Sequence, residues 1–183
     1  GGWVNIYGAP ATLSSFAFNT LMGLAGGMIG AFWWSKGNPF WMMSGGLAGI
    51  FICAGGLDIW YPGFAFVLGI IAGCVIIPAN NWLHNTFKID DCVGAVSIHG
   101  VAGVLGVLAV GIFAAGFPAS GDIPPTSFVG QLVGCIVMIL TGLLPGYVIS
   151  YVMKSMGWLR VPDEVQAAGI DSAELNLRAY ADK

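Results

Sequence analysis

Five long apolar runs, separated by short connections, dominate this chain and restrict it to one class of fold. A helix needs about 20 mainly apolar residues to cross a bilayer, and such runs occupy 11–35, 40–57, 63–83, 93–117 and 127–153. Only 8% of the 183 residues are charged, against about 25% in soluble domains. The sequence therefore predicts an all-α membrane protein, a polytopic helix bundle with about five transmembrane helices.

Two shorter segments flank the predicted bundle of residues 11–153. Residues 1–10 are interpreted as an extracellular lead-in from a preceding helix, and residues 154–183 as a polar cytoplasmic tail. Because the chain starts with Gly-Gly-Trp and has no basic leader, we expect a longer polypeptide to precede it.

The few charged residues predict the orientation of the spans. With five spans, the connections alternate between the two sides of the membrane, and one side then collects four basic residues: Lys36, Lys88, Lys154 and Arg160. The opposite connections contain Asp58 and Asp122 but no Lys or Arg. By the positive-inside rule the basic side is cytoplasmic, so we expect the N-terminal end outside and the tail inside.

Glycine recurs at a spacing of four residues within the predicted spans. Small residues at this spacing allow helix backbones to approach closely in lipid. The pairs are Gly23/Gly27, Gly26/Gly30, Gly45/Gly49, Gly69/Gly73, Gly130/Gly134 and Gly142/Gly146. We therefore expect a tightly packed bundle.

His99 is the candidate functional residue, because it lies inside the apolar run 93–117. An ionisable side chain within a span marks a functional site by default. Gly103 and Gly106 follow at helical spacing on the same face, which suits either a close helix contact or a narrow lumen. The alternative is a structural histidine that hydrogen-bonds to a neighbouring helix.

Asp90 and Asp91 precede this histidine at the start of the same predicted helix. Carboxylates there can accept hydrogen bonds from free backbone N–H groups and suit the positive end of the helix dipole. We favour this supporting role over that of ion ligands.

Several function classes find no support in the sequence. It lacks a phosphate-binding loop and the short motifs of metalloproteases and serine hydrolases, and it has no basic stripe for nucleic acid. No second His or Glu lies one helical turn from His99, as a metal site would require. We therefore expect neither an enzyme nor a bound metal or cofactor.

The stretch "DDCVGAVSIHGVAGVLGVLAVGIFA" resembles the tenth-helix signature of the ammonium transporter (Amt/Mep/Rh) family. "SGGLAGIFICAGG" resembles the eighth helix of that family, and "LRVPDE", "AGID" and "AY" resemble its C-terminal region. The likeness covers nearly all of residues 11–180. It implies the last five spans and tail of an inverted-repeat transporter.

The resemblance also implies roles for particular residues. His99 corresponds to one of two histidines that meet in the pore, the other lying on a helix that precedes this chain. The implied function is transport of ammonium or ammonia through an apolar pore, in a homotrimer whose tail a PII-type signalling protein can contact. The tail residues expected to hold that region against the membrane domain are Arg160, Asp163, Glu164, Asp171 and Tyr180.

Two departures from the family pattern accompany the likeness. Gly94 occupies a place where the family often has an aspartate, which we expect to change little. "LNLRAY" replaces the usual His-Gly-Glu before Ala-Tyr, which leaves a disordered tail as the alternative to a docked one. At the level of function, the alternatives are an ammonium sensor of the same fold and an unrelated structural bundle.

Overall fold

A computed structural model describes residues 13–89, 91–115 and 125–169. The described residues form helices and connections, without strands. The helices are α1 (Leu13–Ser35), α2 (Pro39–Cys53), α3 (Pro62–Phe87), α4 (Ala102–Phe113), α5 (Phe128–Ser155) and α6 (Asp163–Ala168). A short 3₁₀ turn, Ala54–Gly56, extends α2, and a π-helical segment, Val96–Val101, leads into α4.

Five of these helical stretches are long and apolar enough to span a membrane, which confirms the predicted number. They run over Leu13–Ser35, Pro39–Gly56, Pro62–Phe87, Val96–Phe113 and Phe128–Ser155.

The predicted boundaries of the third and fourth spans differ from the structure, and the fourth helix ends at Phe113 rather than at residue 117. The third span continues past residue 83 to Phe87, where Lys88 adopts a left-handed conformation (φ 57°) and ends the helix. The helical stretch of the fourth span starts later than residue 93, because Asp91 to Gly94 form a turn closed by the Gly94 N–H donating to the Asp91 carbonyl.

Local sequence signals explain where α2 and α3 begin. The Asn38 side chain accepts hydrogen bonds from the N–H groups of Phe40 and Trp41, and Pro39 occupies the first helical position. Pro62 likewise occupies the first helical position of α3. Proline suits that position because its missing N–H would have no partner inside the helix.

Helix α1 packs against both α2 and α3 through glycine. Four of the six glycine pairs lie in these three helices and make the close helix contacts that their spacing predicts. A Cβ atom added at Gly27 would overlap the Gly45 carbonyl oxygen, and one added at Gly73 would overlap the Gly27 carbonyl oxygen. Gly23/Gly49 and Gly30/Ile70 form equivalent contacts. These helices therefore meet backbone to backbone, which only residues without a side chain allow.

The two glycine pairs of α5 behave differently. An added Cβ at Gly134, Gly142 or Gly146 would meet no described atom within 4 Å, so their predicted part in helix packing finds no partner among the described residues. Of the most apolar 18-residue stretch of α5, only 6% is buried among the described residues.

The chain divides into two compact units, one up to Ile136 and the other from Val137. The first holds α1 to α4 and the beginning of α5, with a core of small and branched residues: Ala31, Ala48, Ile52, Ala65, Ala72 and Ile76. The second holds the remainder of α5 and, among the described residues, the tail as far as Gly169.

Candidate functional site

The candidate site begins at a turn organised by Asp91. One carboxylate oxygen of Asp91 accepts a hydrogen bond from the Ala95 N–H and the other from the Val96 N–H, both at 2.8 Å. Both oxygens thus satisfy N–H groups that have no partner inside the helix. This arrangement is the helix-start role that the sequence favoured over an ion ligand.

Gly94 lies inside the same turn and has a left-handed backbone (φ 72°). A Cβ atom at this position would also approach the Ser97 hydroxyl to 3.2 Å. Residues with a side chain rarely adopt this backbone conformation. Glycine adopts this conformation without steric cost, so the residue that departs from the family pattern suits the turn from Asp91 into the helix.

His99 lies within the π-helical segment Val96–Val101. The Ala102 N–H donates to the Ser97 carbonyl, so this backbone bond reaches one residue further back than in an α-helix. The same N–H also donates to the His99 carbonyl. Ser97 and Ile98 point into the core, while Val96, His99 and Gly100 are exposed. Such one-turn π segments often occur at functional sites.

The imidazole of His99 contacts the Phe51 ring of α2. The two ring centroids lie 4.2 Å apart and the planes are inclined by 60°. Phe51 is half-buried and His99 is exposed, so one side of the imidazole has a protein neighbour and the other is open. No hydrogen bond joins the His99 side chain to another described residue.

The two glycines after His99 have different surroundings. Gly106 is buried, and an added Cβ would overlap the Ile52 carbonyl oxygen of α2. Gly103 is half-buried, and an added Cβ there would meet no described atom within 4 Å. Of the two alternatives for this face, the close helix contact applies at Gly106, whereas Gly103 borders open space.

The remaining candidate residues lie in the tail or outside the described residues. Arg160, Asp163 and Glu164 lie exposed in the tail, around the start of α6. Asp90, Asp171 and Tyr180 fall outside the described residues.

The sequence singled out His99 but missed Phe51 and the π-helical segment. Phe51 is one of 11 phenylalanines, and one more aromatic residue in an apolar helix carries no distinguishing signal. Among the described residues, the site consists of an exposed imidazole on an apolar helix, in ring contact with Phe51.

Comparison with known proteins decides the family. The model of the Ammonium Transporter Family matches residues 5–180. The chain belongs to the ammonium transporter family. The resemblance noted from its helix and tail motifs is thereby confirmed, and so is the all-α fold class.

The named relatives of this family member are considerably longer than this chain. It is 32% identical over 172 residues to ammonium transporter Amt1 of Methanocaldococcus jannaschii, covering 93% of this chain and 43% of the relative. It is 30% identical over 177 residues to Amt1 of Haloferax mediterranei, covering 93% of this chain and 33% of the relative. The chain thus spans less than half the length of these relatives.

A solved structure of a protein titled "Sensor Amt Protein" is also similar. The TM-score is 0.75 at 28% identity, over 87% of this chain and 41% of that one. Family membership together with five apolar helices makes this a multi-pass membrane protein.

Proposed function

We propose that the protein containing this chain carries ammonium or ammonia across the membrane through an apolar pore, with His99 at a constriction. The observation that supports this most directly is the exposed imidazole, free of hydrogen bonds to the other described residues, on an otherwise apolar helix face. Family membership supplies the class of solute.

The physics of an apolar pore explains why such a histidine is useful. Moving a bare cation from water into a medium of low dielectric constant costs on the order of tens of kcal/mol, which excludes sodium and potassium. Ammonium can instead release a proton and cross as neutral ammonia. An imidazole nitrogen can exchange hydrogen bonds with the neutral molecule, and a second histidine outside this chain would help to relay the proton.

The charge pattern and the resemblance suggest how the protein is oriented in the membrane, how it assembles and what binds its tail. In this proposal the basic connections and the tail face the cytoplasm, and the beginning of the chain faces outwards. The protein assembles as a homotrimer and acts as a channel-like transporter without catalysis. A PII-type signalling protein is the proposed partner of the tail.

A second candidate is an ammonium sensor that binds without conducting. The specific observation in its favour is the solved structure of a sensor Amt protein, whose fold is similar. Both candidates place ammonium at His99, so they differ in whether bound ammonium leaves on the other side.

The test uses the full-length protein in proteoliposomes on a solid-supported membrane. Wild type should give a current with an ammonium gradient and none with potassium. His99→Ala should remain folded and lose the ammonium current or gain a potassium current, because the hydrogen-bonding group has gone. His84→Ala is the matched control, since His84 is exposed in the last turn of α3.

Each result has a separate meaning. Ammonium binding with neither a wild-type current nor a change of pH inside the vesicles, which neutral ammonia would cause, would favour the sensor. If His99→Ala matches wild type in both gradients, His99 is a packing residue and the proposed pore role is wrong.

A further inference from the structure

Phe51 and His99 form a pair that neither the sequence motifs nor the family match assigns to a function. Phe51 lies in the last turn of α2, and its ring centroid is 4.2 Å from that of the imidazole. Among the described residues, this ring contact is the interaction that can orient the imidazole. Side-chain rings are commonly oriented by such aromatic contacts.

The backbone that carries the Phe51 side chain is closely packed against two other helices. Its neighbour Ile52 is 2% exposed, and its backbone touches Gly106 of α4. Two residues before Phe51, the backbone of Gly49 touches Gly23 of α1. Because α2 is held on both sides by backbone contacts, the Phe51 backbone cannot move away from His99 without moving two other helices.

The geometry of the pair has two consequences for a solute. The phenyl ring covers one side of the imidazole, while the ring nitrogens, which lie at the edge of the imidazole, keep their hydrogen-bonding capacity. The same phenyl ring takes up room beside the place where a solute would bind to those nitrogens.

We propose that Phe51 is the positioning and selectivity residue of the His99 site, holding the imidazole and disfavouring solutes larger than ammonia. This inference rests on the proposed function, because it takes the open side of His99 to be the path of the solute. It adds a determinant of size to the hydrogen-bonding role of the histidine.

The test measures the ratio of methylammonium to ammonium flux in the full-length protein. A ratio is independent of protein amount and of the folded fraction. Removing the ring in Phe51→Leu should raise this ratio about tenfold, since a hydrophobic site discriminates one methylene by about that factor or more. Phe51→Tyr keeps the ring and should retain the wild-type ratio.

Phe64→Leu is the matched control. Phe64 is half-buried like Phe51 and also takes part in ring contacts, with Trp60 at 5.4 Å and Phe113 at 4.8 Å. Losing those contacts can lower stability but should leave the flux ratio unchanged. A rise in both variants would point to general loosening of the bundle and would overturn the proposal.

A double-mutant cycle tests whether Phe51 acts through His99. In the His99→Ala background, Phe51→Leu should change the ratio much less than in wild type, because residues in contact are coupled. Full additivity of the two effects would contradict the positioning role.

A measurement independent of transport separates this inference from the proposed function. The nuclear magnetic resonance signals of the His99 ring protons should shift in Phe51→Leu and stay in place in Phe64→Leu, because aromatic ring currents act over this distance. If wild type gives no flux, the ratio is taken from ammonium and methylammonium binding. Absence of flux then refutes transport, whereas an unchanged ratio in Phe51→Leu refutes the role of Phe51.

Discussion

Gly103 and Gly106 illustrate, at the scale of single residues, how identical residue types on one helix serve different purposes. An added Cβ at Gly106 would overlap the α2 backbone, whereas at Gly103 it would meet no described atom within 4 Å. Lack of a side chain is therefore a packing requirement at Gly106. At Gly103 it leaves room beside His99.

This difference predicts opposite outcomes for the same substitution. Gly103→Leu should fold and assemble normally but reduce ammonium flux at least tenfold, because the leucine projects into the proposed path. Gly106→Leu should fail to fold, since overpacking against a backbone cannot be relieved by a rotamer change. Size-exclusion chromatography and flux measurements on the full-length variants check both outcomes.

Two results would contradict this prediction. Normal flux through Gly103→Leu would place the solute path elsewhere. Normal assembly of Gly106→Leu would mean that α2 and α4 can separate without loss of the fold.

The sequence could predict the residues that stand out chemically from their surroundings. His99 is an ionisable group in an apolar run, and Asp91 is a carboxylate at a helix start. Phe51 could not be predicted, because its role depends on which helix lies opposite. The left-handed backbone of Gly94 (φ 72°) could not be predicted either, because it depends on how the chain turns into the helix.

At the scale of helices, Asn19 joins α1 to the connection between α2 and α3. Its side-chain amide donates hydrogen bonds to the carbonyls of Leu57 and Trp60, both at 2.8 Å. Asn19 is 1% exposed. These two carbonyls lie beyond the end of α2, where no further helical N–H groups are available to them.

We expect Asn19→Leu to destabilise the protein by about 1–3 kcal/mol, because it removes the buried amide that donates to both carbonyls. The Leu57 carbonyl then keeps only the longer bond from the Ser15 hydroxyl, at 3.4 Å. The measurement is thermal unfolding of the full-length protein in detergent. Thr20→Val is the matched control, since the Thr20 hydroxyl donates to the Phe16 carbonyl within α1 and links no second helix. An equal loss of stability in both variants would show that Asn19 has no special part in holding the connection.

Helix number and approximate position followed from the sequence because apolar length and glycine spacing are local signals. The π-helical segment before α4 did not, because it differs from an α-helix by a single hydrogen-bond shift. It is accompanied by the Asp91 cap on one side and by the Gly106 contact on the other. Only the three-dimensional structure combines those two constraints.

At the scale of the whole molecule, the chain accounts for less than half the length of the relatives reported above. Helix α5 exposes most of its apolar side chains in the described residues, including Val133, Met138 and Leu143. An added Cβ at Gly134, Gly142 or Gly146 likewise meets no described atom within 4 Å. These features are what the proposed assembly with preceding helices and neighbouring subunits would cover.

The tail, like α5, has features that point to contacts with other parts of the assembly. Helix α5 ends at Ser155, and Gly157 adopts a left-handed conformation (φ 75°) that redirects the chain. The next helix, α6, has only six residues. Because isolated helices shorter than about 12–15 residues are marginal in water, α6 needs contacts beyond itself to persist.

We therefore predict that the tail docks on the membrane domain of its own or a neighbouring subunit and supports transport. Deleting residues 159–183 from the full-length protein should lower ammonium flux about fivefold or more, the size of a typical coupling between sites. Hydrogen exchange in the intact protein should be slow at α6. Replacing Arg160, Asp163 and Glu164 together by alanine tests whether the charged side chains hold it.

The outcomes distinguish a docked tail from a solvated one. Reduced flux in both variants, with faster exchange at α6 in the triple variant, would assign the docking to these charges. Reduced flux in the deletion alone would assign it to other parts of the segment, such as the half-buried Val161 and Val165. Unchanged flux together with fast exchange throughout would contradict docking, because an undocked six-residue helix has nothing to keep it ordered.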